Sequence, residues 1–258
     1  MAEAGRLAFW IMLSNRLLRI FAAGCALAVL AGCSSSSSKT PSATSGGPTV
    51  SSSGPAASSS AAPVSVTQLK TIALQPADLP AGWKGTPYQT DPSDAAAQAA
   101  LVKCVGARNT DGDKVAEAHS EDFALGDASV SSSASSYRSQ SDLDVDIAIV
   151  NSPKISPCYD QLVRKQLATS LPAGAKIVSE SLKITPGSAG APANVIATGA
   201  GTIKVSVNGQ QVAVFVTVAF ITGPLIEAEV DTENVGTPVP ASVVQSLVAT
   251  VATRAAKG

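Results

Sequence analysis

Asn208-Gly209 separates two long, mostly apolar stretches, Asn194–Val207 and Gln210–Ile221. Asn-Gly supplies the positive φ angles that a two-residue type I′ turn needs, so the stretches are expected to pair as an antiparallel hairpin. In the second stretch Val212, Val214, Val216, Val218 and Phe220 alternate on one face. Ala213, Phe215, Ala219 and Ile221 make the other face apolar too. A strand that is apolar on both faces needs a neighbour at each edge and cover above and below. This segment predicts a central strand of a sheet that lies between layers of helices.

The rest of the chain supplies candidates for those layers. Val66–Leu74 reads as a short helix with Leu69, Ile72 and Ala73 on one face and Thr67 as cap. Leu79-Pro80-Ala81-Gly82-Trp83 reads as a turn that delivers Trp83 to the core. Asp91-Pro92-Ser93-Asp94 has the residues of a helix start: a capping Asp, Pro at the first position and an acid three residues after the cap. Ala97, Ala100, Leu101, Cys104 and Val105 give its apolar face, and Gly106 ends it. Glu121–Leu125 is a short strand candidate. Asp142–Val150 alternates Leu143, Val145, Ile147 and Ile149 with Asp142, Asp144 and Asp146, which predicts another strand. Ser156-Pro157 opens a helix whose inner side carries Tyr159, Leu162, Val163, Gln166 and Leu167, before Leu171-Pro172-Ala173-Gly174 stops it. Lys176–Ile184 is a strand candidate and Gly187–Pro192 a loop. After Gly223-Pro224, Leu225–Val230 sets Ile226, Ala228 and Val230 against Glu227, Glu229 and Asp231. A closing helix over about Pro240–Ala255 presents Val243, Val244, Leu247, Val248 and Val251 at helical spacing. Tandem hairpins without strand–helix–strand alternation point to one α+β domain with a mostly antiparallel, twisted sheet and flanking helices, an α/β sandwich, over residues 64–258.

The N-terminal quarter has a different composition. Arg16 and Arg19 precede an apolar run, Ile20–Leu30, which is too short for the roughly 20 residues of a membrane-spanning helix. Residues 1–32 read as an export signal, with Met12 as the expected natural start. Leu30-Ala31-Gly32-Cys33 resembles the lipobox of bacterial lipoproteins, in which the Cys thiol takes a diacylglycerol and a peptidase cuts before it. Cys25 is preceded by similar small residues, but it lacks an aliphatic residue three before it and would halve the apolar run. The resemblance implies lipidation at Cys33, with cleavage and no lipid as the plain alternative. Ser34–Pro63 is almost wholly Ser, Ala, Gly, Pro and Thr, a composition that cannot offset its ordering entropy, so residues 33–63 are expected to act as a tether. Such a chain reaches about 30 Å on average and about 100 Å when taut. It is also open to O-glycosylation.

Removing Cys25 by cleavage and Cys33 by lipid leaves Cys104 and Cys158 for an oxidising compartment, where one disulfide is the economical reading. The net charge of −1 gives the chain no electrostatic reason to bind nucleic acid. Catalytic signals are thin. His119 is the single histidine and sits in an acid-rich stretch with Asp111, Asp113, Glu117, Glu121, Asp122 and Asp127. The spacing fits no EF-hand. Ser36-Ser37-Ser38-Lys39 matches S-x-x-K only inside the tether, and Gly199-Ala200-Gly201 is a fragment of a nucleotide motif inside a strand pattern. The row Asp142, Asp144, Asp146 would bind a metal only if the solvated-face reading failed. The expectation is a non-enzyme with no cofactor and no metal.

The lipobox, the tether and a domain with one cysteine pair together resemble secreted lipoproteins and sensor-type domains of mycobacteria and related actinobacteria, as does Asp78-Leu79-Pro80-Ala81-Gly82-Trp83. Residues 194–255 also resemble the end of PsbP-like α/β/α sandwiches and, more loosely, the extracellular sensor domains of mycobacterial Ser/Thr kinases. These resemblances imply a lipid-anchored protein on the extracytoplasmic side of the cell membrane. They also imply binding rather than chemistry: of a lipid, glycan or small apolar molecule, or alternatively of an envelope protein partner. A ligand module predicts a sizeable pocket between sheet and helices, whereas a partner module predicts a filled core and an exposed apolar or acidic patch. The anchor is testable directly. Cys33→Ala should move the protein from the membrane to the soluble fraction on cell fractionation, and an unchanged membrane fraction would refute the lipid anchor.

Overall fold

The structure is a computed structural model that describes residues 64–258 except 91, 172–173, 188–189 and 208, with the backbone alone described at 92–94 and 166–170. The export signal, Cys33 and the tether lie outside the described residues, as do the capping role of Asp91 and the inner placement of Gln166 and Leu167.

The α+β sandwich is present. Among the described residues five helices, α1 (Val66–Ile72), α2 (Pro92–Val105), α3 (Gln140–Val150), α4 (Ile155–Ser170) and α5 (Ala241–Ala255), flank one sheet. Its strands are β1 (Lys84–Thr86), β2 (Lys114–His119), β3 (Asp122–Leu125), β4 (Ala128–Tyr137), β5 (Ala175–Pro186), β6 (Val195–Val207), β7 (Gln210–Gly223) and β8 (Ile226–Val235). They run in the order β1-β3-β4-β8-β7-β6-β5, with β2 also paired to β4, and every pairing is antiparallel. The β6–β7 hairpin closes with Val207 opposite Gln210, and Gly209 takes φ +83°.

β7 is the doubly apolar strand the sequence predicts. Its upper face, Val214, Val216, Val218 and Phe220, packs with Leu101 and Val105 of α2 and Tyr159 and Val163 of α4. Its lower face places Ala219 and Ile221 with Leu69 and Ile72 of α1 and Leu247, Val251 and Ala255 of α5. Gly199 and Gly201 on β6 serve this packing. A Cβ at Gly199 would lie 2.6 Å from Val218, and one at Gly201 would lie 2.7 Å from Leu182 and 2.9 Å from the Ser181 carbonyl. The glycines leave room for the larger side chains of the strands on either side. Trp83 is half-buried against the lower core.

Three expectations need correction. Asp142–Val150 is helix α3, not a strand. Ser139 caps it, accepting from the Asp142 N–H, and Gln140 donates to Asp144 one turn on at 2.8 Å. Leu143, Asp146, Ile149 and Val150 turn inward at three- and four-residue spacing, a period the alternating apolar residues also satisfy. Second, Ser65 rather than Thr67 caps α1, in a reciprocal pairing with Gln68. Third, in α2 Val102 is buried while Ala100 and Cys104 face outward. Three strands, β1, β2 and β4, lie where no strand is expected from sequence.

α5 is seated by three devices. Arg254 forms two bonds to Asp78, at 2.8 and 2.7 Å, and also donates to the Ala73 carbonyl. Burial alone would raise the Asp78 carboxyl, but the bonds from Arg254 and the Gln75 N–H, with the Arg254 charge, hold it below its ordinary value. Asn194 bridges the carbonyls of Thr222 and Ala252, each at 2.9 Å. The end of α5 then rests on Gly223, where a Cβ would come within 1.9 Å of the Ala255 carbonyl oxygen, so only glycine permits the approach.

Cys104 and Cys158 form a disulfide with Cα atoms 5.7 Å apart, tying α2 to α4 across 54 residues of sequence. In the chain-entropy model a loop of this length stabilises by about 4 kcal/mol. The Cys104→Ala/Cys158→Ala variant should therefore melt about 10 °C lower by circular dichroism. An unchanged melting temperature would mean that the bond does not constrain the unfolded chain.

Candidate functional sites

The register of β8 creates the least ordinary part of the molecule. Ile226, Ala228 and Val230 point down into the lower core, so Glu227, Glu229, Asp231 and Glu233 all point up. Directly opposite on β4 stand Ser135, Ser133, Ser131 and Ser129. One strand further out, Glu117 and His119 of β2 face Ser135 and Ser133. The upper face of the sheet thus changes from apolar on β6 and β7 to polar on β8, β4 and β2.

Asp231 and Glu233 are each 1% exposed. Their carboxyl oxygens and the hydroxyls of Ser129 and Ser131 have no hydrogen-bond partner among the described residues. Burial pushes both carboxyls well above the carboxylate range, because the charged form loses its water without gaining a counter-charge. Glu229 is raised by burial and by the neighbouring charges of Asp231 and Glu227. The Tyr159 hydroxyl above them is raised by burial and by the same carboxylates.

At the end of the row the network is better satisfied. The Tyr137 hydroxyl lies 2.7 Å from Glu227 and also contacts Asp146 of α3. Thr110 donates to Asp146 at 2.6 Å, and Lys114 Nζ stands 4.0 Å from it. Burial, followed by the Asp146 charge, raises Glu227 to about 8. A cavity of about 40 Å³ lies between these groups and Tyr159. That is room for a water or two, not an organic ligand.

The candidate chemical residues do not converge. His119 Nε2 lies 2.8 Å from Glu117, and the Tyr88 ring stacks on the imidazole at 3.8 Å and 4°. Of the expected aspartate row, Asp146 lines that cavity. Asp142 lies 3.3 Å from Arg108, and Asp144 accepts from Gln140. Among the described residues no three His, Cys, Asp or Glu side chains are placed to hold a metal ion.

A second site lies on the lower face. A helix is about 10 Å across and strands are about 4.8 Å apart, so one helix roofs about two strands. α5 sits over β7 and β8, with α1 beside it, and the lower face of β5 and β6 is left open. The result is a groove of about 740 Å³. Its floor is three-stranded: Lys183, Ala200 and Thr217 form one cross-strand row, and Thr185, Thr198 and Ala219 the next. Val244, Gln245 and Val248 of α5 form one wall, and the loop through Ala191 and Pro192 closes an end. This site was not expected from sequence because, Lys183 apart, its floor consists of Thr and Ala. Those residues carry no chemical signal, and they form a groove only because no helix lies over them. Among the described residues no helix is long and apolar enough to cross a membrane.

The acid row has a measurable consequence. Glu227 has a folded pKa of about 8 against an ordinary 4.5, and Glu229, Asp231 and Glu233 shift the same way. A raised folded pKa favours the neutral form, so this stabilisation is complete below about 4.5 and is lost as pH rises through about 8. Thermal melts should give a higher midpoint at pH 5.5 than at pH 8.5, with a shallower slope in Glu227→Gln. A midpoint that climbs with pH across this window would contradict the assignment. No known family model matches the chain, and no curated protein sequence is significantly similar to it.

Proposed function

We propose that this protein is a non-catalytic binding module for a small, largely apolar ligand such as a lipid, carried on the extracytoplasmic face of a membrane by lipid on Cys33. The groove between α5 and the lower face of β5–β7 carries the reading. Its roughly 740 Å³ falls within the range of small-molecule sites, which are concave, mostly apolar and polar at a few points. The floor offers methyl groups and hydroxyls from Thr185, Thr198 and Thr217, and the α5 wall adds the side chains of Val244 and Val248. A tether would let such a groove reach amphiphiles near the membrane surface.

A partner-binding module finds less support. The large exposed hydrophobics among the described residues are four, Val66, Val115, Leu125 and Val178, on four different elements.

A neutral apolar fluorophore such as N-phenyl-1-naphthylamine tests the reading. It should bind the wild-type protein and be displaced by a long-chain alcohol. Ala200→Trp, which fills the floor of the groove from an exposed position, should weaken binding by about tenfold or more, about 1.4 kcal/mol, while the melting temperature holds. Failure of the wild-type protein to bind, or equal binding by Ala200→Trp, would refute the groove as the site.

A further inference from the structure

We infer that the groove selects amphiphiles with an anionic headgroup, a single long chain ending in carboxylate or phosphate, and that Lys183 and the first turn of α5 receive that headgroup. The inference rests on the groove being the ligand site and adds the chemical class of the ligand.

Charge is the first argument. Among the described residues lining the groove, Lys183 is the one that carries a charge. Its side chain stands exposed on the β5 lip, opposite the α5 wall. Among the described residues no carboxylate lines the cavity, although the upper face of the same sheet carries four on β8 alone. A neutral apolar ligand would gain nothing from a lone cation at the lip. An anionic headgroup there would gain a counter-charge and keep its hydration.

The direction of α5 is the second. Its C-terminal end rests on Gly223, at the end of β7, so its N-terminal end lies toward the Thr217 side of the groove. The Lys183–Ala200–Thr217 row is the nearer of the two floor rows to that end. α5 begins after Pro240 with no side-chain cap and no acidic residue in its first turn. Its first turn therefore carries no acid of its own to offset the partial positive charge there. Ser242, Gln245 and Ser246 bring polar groups from that end to the wall. Toward the other end the lining is Val248, Ala249, Ala191 and Pro192, which suits a hydrocarbon chain. Positive potential thus gathers at one end of the groove and apolar surface at the other.

Competition among four probes of equal chain length tests this on the purified full-length protein by native mass spectrometry. The probes are palmitate, hexadecyl phosphate, hexadecanol and hexadecyltrimethylammonium, each below its micellar concentration. Palmitate and hexadecyl phosphate should outbind hexadecanol by about fivefold, the sum expected of an exposed ion pair and a helix terminus. The two anions compared with each other tell a carboxylate ligand from a phosphate one. In Lys183→Glu the order should invert, with the trimethylammonium probe ahead of both anions. Equal binding of all four probes, or an anion preference unchanged in Lys183→Glu, would overturn the charge assignment while leaving the groove reading intact. Binding of none of the four by the wild-type protein would overturn both.

Discussion

The architecture depends on one strand that buries apolar side chains on both of its faces. β7 presents Val214, Val216, Val218 and Phe220 upward and Ala219 and Ile221 downward. Burying a Val or Phe side chain contributes about 1.5–3 kcal/mol, so both faces of this strand demand a roof. α2 and α4 supply one and are tied together by the Cys104–Cys158 bond. α1 and α5 supply the other, with the end of α5 held by Arg254 on Asp78 and by close approach to Gly223. Both sites described above lie where these roofs end or change character.

The neighbouring strand shows how strongly the lower roof sets the register. β8 must send Ile226, Ala228 and Val230 downward to meet α1 and α5, and strand periodicity then sends Glu227, Glu229, Asp231 and Glu233 upward. Had the upper face of β8 been open, four acids there would be an ordinary solvated row. Instead they are covered, and the serines of β4 are their nearest companions across the strand. Burial resolves the conflict by favouring the protonated forms, at the cost of a fold that loses stability as the pH climbs.

Most of the layered plan was legible because it rests on apolar periodicity. The β6–β7 hairpin announced itself through Asn208-Gly209, α5 through valines at helical spacing, and the disulfide through elimination of the other two cysteines. The misses have physical causes. β4, Ala-Ser-Val-Ser-Ser-Ser-Ala-Ser-Ser-Tyr, carries almost no apolar signal, yet it is central and buried, because short hydroxyl side chains let other segments come close. Ser132 accepts from the Leu74 N–H and Ser136 donates to the Val64 carbonyl, each at 2.8 Å. Such a strand is specified by partners distant in sequence. Asp142–Val150 failed differently. Its apolar residues satisfy periods of both 2 and 3.6, and the Ser139 cap decided the matter. The acid row was visible as alternation, but its burial was not, since that depends on helices packing over β8. The groove was invisible for the reason given above: it exists where a roof is missing.

The two faces of β6 argue that the missing roof is a property of this sequence rather than an accident of packing. On the upper side Gly199 and Gly201 give up their own side chains so that Leu182, Ile184, Val216 and Val218 can meet without a gap. On the lower side the same strand offers Thr198, Ala200 and Thr202, in register with Thr217 and Phe215 of β7. A face meant for another helix would carry large aliphatic side chains, as the upper one does. A face meant for permanent solvent would carry charges, as Lys204 does further along. Thr and Ala fit neither role fully. They tolerate water when the groove is empty, and they present methyl groups to a chain that displaces it.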